Sequence, residues 1–232
     1  MEKALLNILV ACEESQAIAI EFRKRGFNAF SCDLQVCSGG HPEFHICEDV
    51  IKVLNSGMFH TLDRKWHYVK KWDLVIAHPP CTYLTITGNR WFNVDKYGSM
   101  YVTLRSIQRQ DAIKFFFEFV NCNCDHIAIE NPIGIMSSVY RKPDQIISPW
   151  QFGHSVRKKT CLWLKGLPNL VPTDIVEKED QVTLKNGHKM GRWYYETSCL
   201  PLKERAKARS KTFSGVAKAI AEQWGDYLLK GE

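Results

Sequence analysis

The chain of 232 residues has no apolar run approaching the ~18 residues that a membrane-crossing helix needs, so no membrane partner is expected. It has no internal repeat, no Gly/Ser-rich or Pro-rich linker and no low-complexity tract, which removes solenoid, fibrous and disordered-tail readings. Tight Cys-x2-Cys pairs are absent, and the nine cysteines are an odd number scattered through apolar segments. That usage fits a reducing, cytoplasmic compartment better than a secreted disulfide framework. The apolar start, Leu5 to Cys12, runs directly into Glu13 and Glu14 without a small-residue cleavage site, so it reads as a strand and not as a leader.

What is present has globular proportions, with 45% hydrophobic and 24% charged residues. The net charge of +6 is local. Arg141, Lys142, Arg157, Lys158 and Lys159 form one basic stretch, and Lys203, Arg205, Lys207, Arg209 and Lys211 form another. Two such patches on a near-neutral body suit a polyanionic partner, nucleic acid being the usual one, or else a solvated surface.

Apolar segments of strand length alternate with helical ones. Strands are expected at Leu5–Ala11, Phe27–Cys32, Trp72–Ala77, His126–Glu130 and Thr160–Leu164, and a hairpin at Val182–Met190 around Asn186-Gly187. Helices are expected from Ser15, as cap, to Arg25, from Asp49 to Asn55, over residues 101–121, and from Thr212 to Leu229. This order predicts an α/β fold with a doubly wound, mostly parallel sheet. Residues 1–164 would be the core, 165–211 a small variable region, and 212–232 a helix packing back.

In such sheets ligands sit beyond the carboxyl ends of the strands. The residues there are Cys12–Ser15, Asp33, Asp49, His78–Cys81 and Glu130–Pro132. Cys81 follows a rigid Pro79-Pro80 turn, which aims a thiol for nucleophilic attack, although most cysteines are inert core fillers. Glu130 closes an apolar strand, where desolvation would raise its pKa enough to carry a proton near neutrality. Asp33 and Asp49 suit a ribose hydroxyl and an adenosine base, or simply a turn and a helix cap. Cys32, Cys37, His41, His45 and Cys47 are numerous enough for a zinc ion but lack the spacing of common zinc modules, so no metal is assigned.

Taken together these residues resemble a DNA (cytosine-5-)-methyltransferase of the compact form often encoded by bacteriophages, with a Rossmann-like methyltransferase fold. Pro80-Cys81 is similar to the family's Pro-Cys motif and Glu130-Asn131 to its Glu-Asn motif. Arg157 and Lys159 stand where it places a basic pair on the target base, and Ser214-Gly215-Val216-Ala217 resembles its last motif. The resemblance implies S-adenosylmethionine as cofactor, held by Ala11, Cys12, Glu13, Asp33, Leu34, Asp49, Val50, His78 and Pro80. Glu13 is placed to meet the cofactor's amino group. It implies DNA, duplex or single-stranded, held by Pro79, Thr82, Arg90, Trp91, Asn131 and Pro132. The target base would be flipped out or already unpaired. Cys81 would add to carbon 6 of cytosine, with Glu130 at ring nitrogen 3, Arg157 on the base carbonyl or a phosphate, and methyl transfer to carbon 5. The stretch after Cys81, rich in aromatic and basic residues, would be a mobile loop closing over the base.

The chain departs from the family pattern at several points. Cys12-Glu13-Glu14-Ser15 has no glycine, Thr82 replaces a glutamine, Pro132 replaces a valine, and only 165–211 is left for target recognition. Alternatives stay open: the same chemistry on a free cytosine or uracil nucleotide, amino-group methylation of DNA, or a degenerate fold that only binds nucleic acid or a partner protein.

Overall fold

Asn7–Ala11 (β1) is apolar throughout, as a strand covered on both faces must be. The computed structural model describes residues 5–231. After β1 come α1 (Ala17–Lys24), β2 (Asn28–Asp33), β3 (His45–Cys47), α2 (Val50–Ser56) and a small hairpin of β4 (Met58–His60) and β5 (Trp66–Tyr68). Then follow β6 (Leu74–Ala77), α3 (Val94–Tyr97), α4 (Ser99–Asn121), β7 (Ile127–Pro132), α5 (Met136–Val139), β8 (Gln145–Ile147) and β9 (Thr160–Lys165). A second hairpin, β10 (Gln181–Thr183) and β11 (Lys189–Gly191), precedes α6 (Arg192–Ser198), α7 (Leu202–Ser210) and α8 (Ser214–Lys230).

Seven strands form one sheet in the order β3-β2-β1-β6-β7-β9-β8. All neighbours are parallel except β9, which runs antiparallel to both β7 and β8. The fold is therefore α/β with a mostly parallel, doubly wound sheet, as expected from the sequence. Strand alternation sends Ile8 and Val10 to one face, against Phe22 of α1 and Ile220 and Trp224 of α8. Leu9 and Ala11 face the other way, among Val53, Phe116, Phe119 and Trp163. Each fully buried large side chain contributes on the order of 2 kcal/mol of transfer free energy, so the two layers hold the sheet from both sides.

Three local details differ from the sequence reading. Ser15 does not cap α1; its Oγ lies 3.5 Å from the Ala17 N–H. The buried Glu13 carboxylate takes that role, accepting from the N–H groups of Ile18 at 2.7 Å and Ala19 at 3.3 Å. Second, β7 does not stop at Asn131; pairing with β9 carries it to Pro132, opposite Thr160. Proline is tolerated there because β6 has already ended, leaving no ladder partner on that side. Third, β3, β8 and the β4–β5 pair, three residues per strand, are too short to show periodicity. At the start of α8, Gly215 is required by close approach: a Cβ there would lie 1.8 Å from the Phe152 carbonyl oxygen.

Candidate active site

The carboxyl ends of β1, β2, β6 and β7 share one edge of the sheet, and the sequence-predicted residues fall into two groups along it. The first surrounds Cys81. The His78 N–H donates to the Ala11 carbonyl at 3.0 Å, extending the sheet by one bond past β6. The Asn131 side-chain amide donates to the Pro79 carbonyl at 2.7 Å, tying the Pro-Pro turn to β7. The Leu84 and Thr85 N–H groups close the turn on the Cys81 carbonyl, each at 3.0 Å. The turn is thus fixed on three sides and Cys81 stands exposed on it. Protein packed around the sulfur, with the Glu130 charge, raises the thiol pKa; the Lys158 charge opposes this.

Glu130 corrects one expectation. Burial does push its carboxyl upward, but the hydrogen bond from His78, the Lys158 charge and a bond from Thr160 outweigh it. The carboxyl ends below its ordinary value and is ionised at neutrality. His78 Nδ1 lies 3.0 Å from Glu130 Oε2. A narrow cleft behind this pair is lined by His78, Glu130, Lys158 and Thr160 on one side and Phe213 and Val216 on the other. At about 30 Å³ it is wide enough for roughly one water molecule.

The basic residue beside Cys81 and Glu130 is Lys158, which the sequence reading passed over. Arg157 is held away, its guanidinium donating to the Glu179 carbonyl at 2.8 Å and its backbone N–H to that residue's carboxylate at 3.0 Å. Lys159 points to solvent. Lys158 lies two residues before Thr160, the spacing that puts residues of an extended chain on one face, and both line the cleft.

The second group is at the ends of β1 and β2. The Cys12 thiol is pushed up to about 12 by burial and by the charges of Asp33 and Asp49, which brings the three together. Asp33 accepts from the Gln35 N–H in a turn, and Asp49 caps α2 by accepting from Ile51. Each uses one oxygen, Oδ1, for this. Leu34 beside them is 76% exposed, a free apolar surface, whereas Ala11 and Val50 belong to the core. Glu13 is not available to an amino group, since both its oxygens serve α1. The glycine-free loop reaches its shape with two non-glycine residues at positive φ, Cys12 and Gln16, both at 59°. Gln16 in turn clamps the 34–41 loop through both polar atoms, to the His41 carbonyl and N–H. The Oδ2 atoms of Asp33 and Asp49 have no hydrogen-bond partner among the described residues.

The five residues weighed for zinc do not form a site, and no group of three potential ligands occurs among the described residues. His45 is buried with both ring nitrogens occupied, by Ser31 and the Gln35 carbonyl, and the Cys32 and Cys47 thiols donate to backbone carbonyls. The stretch after Cys81 is also not a plain loop. Residues Ile86–Phe92 form a 3-10 helix, held to α4 by Arg109, which donates to the Tyr83 carbonyl and Asn89 and lies 3.6 Å over Phe92. Thr82 before this helix and Arg90 within it are exposed. Trp91, Tyr97 and Tyr101 lie in a row, their rings tilted by 41° and 37° at 5.0 and 5.5 Å, with Arg90 over Trp91 and Lys96 over Tyr97.

No protein-family model matches the chain, and no curated protein matches it. Among solved structures it is similar to the methyltransferase EhMeth of Entamoeba histolytica, with a TM-score of 0.42 and 14% sequence identity. The match covers 78% of this chain and 59% of that one. What this chain itself displays is a seven-stranded, mostly parallel sheet with one reversed strand, flanked by helices, in keeping with the Rossmann-like methyltransferase fold. No helix among the described residues is long and apolar enough to cross a membrane.

Proposed function

We propose that the protein is a methyltransferase that uses S-adenosylmethionine to methylate carbon 5 of cytosine in DNA through a covalent Cys81 adduct. The observation that carries this reading is the convergence of Cys81, Glu130, Lys158 and His78 on one sheet edge, beside a second group built on Asp33 and Asp49. A purely structural edge needs neither an aimed thiol nor an ionised buried carboxylate.

Asp33 and Asp49 would hold the cofactor's ribose and base, with Leu34 against the ring. When bound, the cofactor supplies an electrophilic methyl group. Cys81 Sγ, as thiolate, adds to carbon 6 of the cytosine and makes carbon 5 nucleophilic. Glu130 faces ring nitrogen 3, where charge builds as the Sγ–C6 bond forms. Lys158 favours both anions, the thiolate and the carboxylate. After methylation the carbon 5 proton passes to water, its bonding electrons restore the C5=C6 double bond, and the Sγ–C6 bond breaks to return the Cys81 thiolate. An aromatic residue, not a cysteine, would stand at position 81 of an amino-methylating site, which needs a stacking platform. DNA is favoured over a free nucleotide by the aromatic row Trp91–Tyr97–Tyr101 with its cations and by exposed Lys203 and Lys207 on α7, since such surfaces bind stacked bases and phosphates.

The test is a product assay with labelled S-adenosylmethionine and duplex DNA, single-stranded DNA or free dCMP, with Cys81→Ser as control. The expected product is 5-methylcytosine in DNA, lost in the variant. Label only in dCMP would move the activity to nucleotides, and methylated amino groups would overturn the Cys81 mechanism.

A further inference from the structure

His78 has no part in the chemistry just described, yet it touches the central carboxylate. Its Nδ1 lies 3.0 Å from Glu130 Oε2, and both side chains are largely enclosed, 13% and 21% exposed. Its Nε2 is buried and has no hydrogen-bond partner among the described residues. The groups facing Glu130 are His78 after β6, Lys158 and Thr160 from the β9 side, Cys81 on its turn, Cys161 of β9 and Tyr194 of α6. The charged group reaching His78 from the β1 loop is Glu13.

An ionised carboxylate is a poor partner for cytosine, because ring nitrogen 3 presents a lone pair. A protonated one is complementary: its O–H donates to nitrogen 3 and its other oxygen accepts from the 4-amino group. A proton must therefore reach Glu130 when the base arrives. We propose that His78 and Glu130 share one proton and that His78 is the positioning residue that passes it to the carboxylate when cytosine binds. The inference rests on the proposed cytosine chemistry.

On this proposal His78 of the free protein carries a hydrogen on each ring nitrogen, the one on Nδ1 donated to the ionised Glu130. With base bound, the Nδ1–H bond breaks and an O–H bond forms at Glu130 Oε2, leaving His78 neutral with its hydrogen on Nε2. As Sγ bonds to carbon 6, the ring electrons shift toward nitrogen 3, and the carboxyl gives up a proton to it and is a carboxylate again. When the adduct collapses, nitrogen 3 returns the proton to Glu130, and Glu130 returns it to His78. No other reactant is consumed in this cycle.

Two variants on the intact protein test this from opposite sides. His78→Asn keeps an N–H donor near the Nδ1 position but has no transferable proton. With a cytosine-containing oligonucleotide, its kcat should fall ~100-fold, the usual scale of one proton transfer, with KM nearly unchanged. A wild-type kcat in His78→Asn would overturn the proposal. The second readout needs no substrate: the rate at which iodoacetamide alkylates Cys81, followed by peptide mass spectrometry. Removing the shared proton leaves Glu130 less compensated, so His78→Asn should slow alkylation at fixed pH, while Glu130→Gln should speed it. An unchanged rate in His78→Asn would refute the shared proton even in a protein that methylates nothing, whereas failure of methyl transfer with these rates shifted would count against the cytosine reading alone.

Discussion

Glu13 gives the sharpest prediction about the folded chain. Its carboxyl is buried at the start of α1, and burial lifts its pKa from 4.5 to about 7, against the His78 charge and the bonds from Ile18 and Ala19. A carboxyl whose pKa is higher in the folded than in the unfolded state binds a proton in the fold first. Its contribution to stability is fully present below the unfolded value of 4.5 and is lost as pH rises through about 7. A shift of this size corresponds to roughly 3 kcal/mol, at about 1.4 kcal/mol per unit. Solvent screening takes little from this, since Glu13 is 4% exposed. In Glu13→Gln the amide does not titrate. Its oxygen can accept from one of the two N–H groups, and the amide N–H2 faces the other, a loss of about 1 kcal/mol. The variant should thus be less stable than wild type near pH 4.5, by about 1 kcal/mol, and more stable above pH 7, by about 2 kcal/mol, with the curves crossing between. Urea unfolding midpoints of both proteins at half-unit steps from pH 4.5 to 8 provide the measurement. Parallel curves would refute the reasoning, because they would mean Glu13 titrates alike in the folded and unfolded chain.

Two further outcomes follow from the same structure. Gly215→Ala places a methyl 1.8 Å from the Phe152 carbonyl, and backbone on both sides cannot retreat cheaply. The melting temperature should drop by several degrees, the signature of overpacking by ~1–3 kcal/mol, and an unchanged value would show that α8 can slide. Lys158→Met removes the cation that lowers the pKa of both Cys81 and Glu130. Alkylation of Cys81 should then require higher pH, and no displacement of the pH profile would remove Lys158 from the site.

The edge of the sheet was legible in the chain because strand ends announce themselves. The apolar runs before Cys12, His78 and Glu130 give way to polar residues and prolines, so the topology rule placed all three on one side. The electrostatics was not legible. Glu130 reads as a desolvated acid in sequence, and the partners that reverse its shift, His78 and Lys158, lie far from it along the chain. Glu13 reads as a cofactor ligand, and only the path of α1 shows that its oxygens are already engaged. Arg157 and Lys159 stand where the resemblance puts a basic pair, but which of the three adjacent cations turns inward depends on the pairing of Arg157 with the segment at Glu179. The aromatic stretch after Cys81 is too poor in regular periodicity to betray the 3-10 helix that Arg109 holds in place.

By itself, the sequence determined the local alternation of strand and helix, the burial of both sheet faces and the exposed Cys81 on its rigid turn. These follow from side-chain period and from the backbone limits of proline, which act within a few residues. The tertiary structure alone decided which carboxylate is ionised, which cation faces it and which histidine it shares an edge with. Charge interactions and desolvation depend on distance in space, and the groups that set them here come together only when β6, β7 and β9 lie side by side.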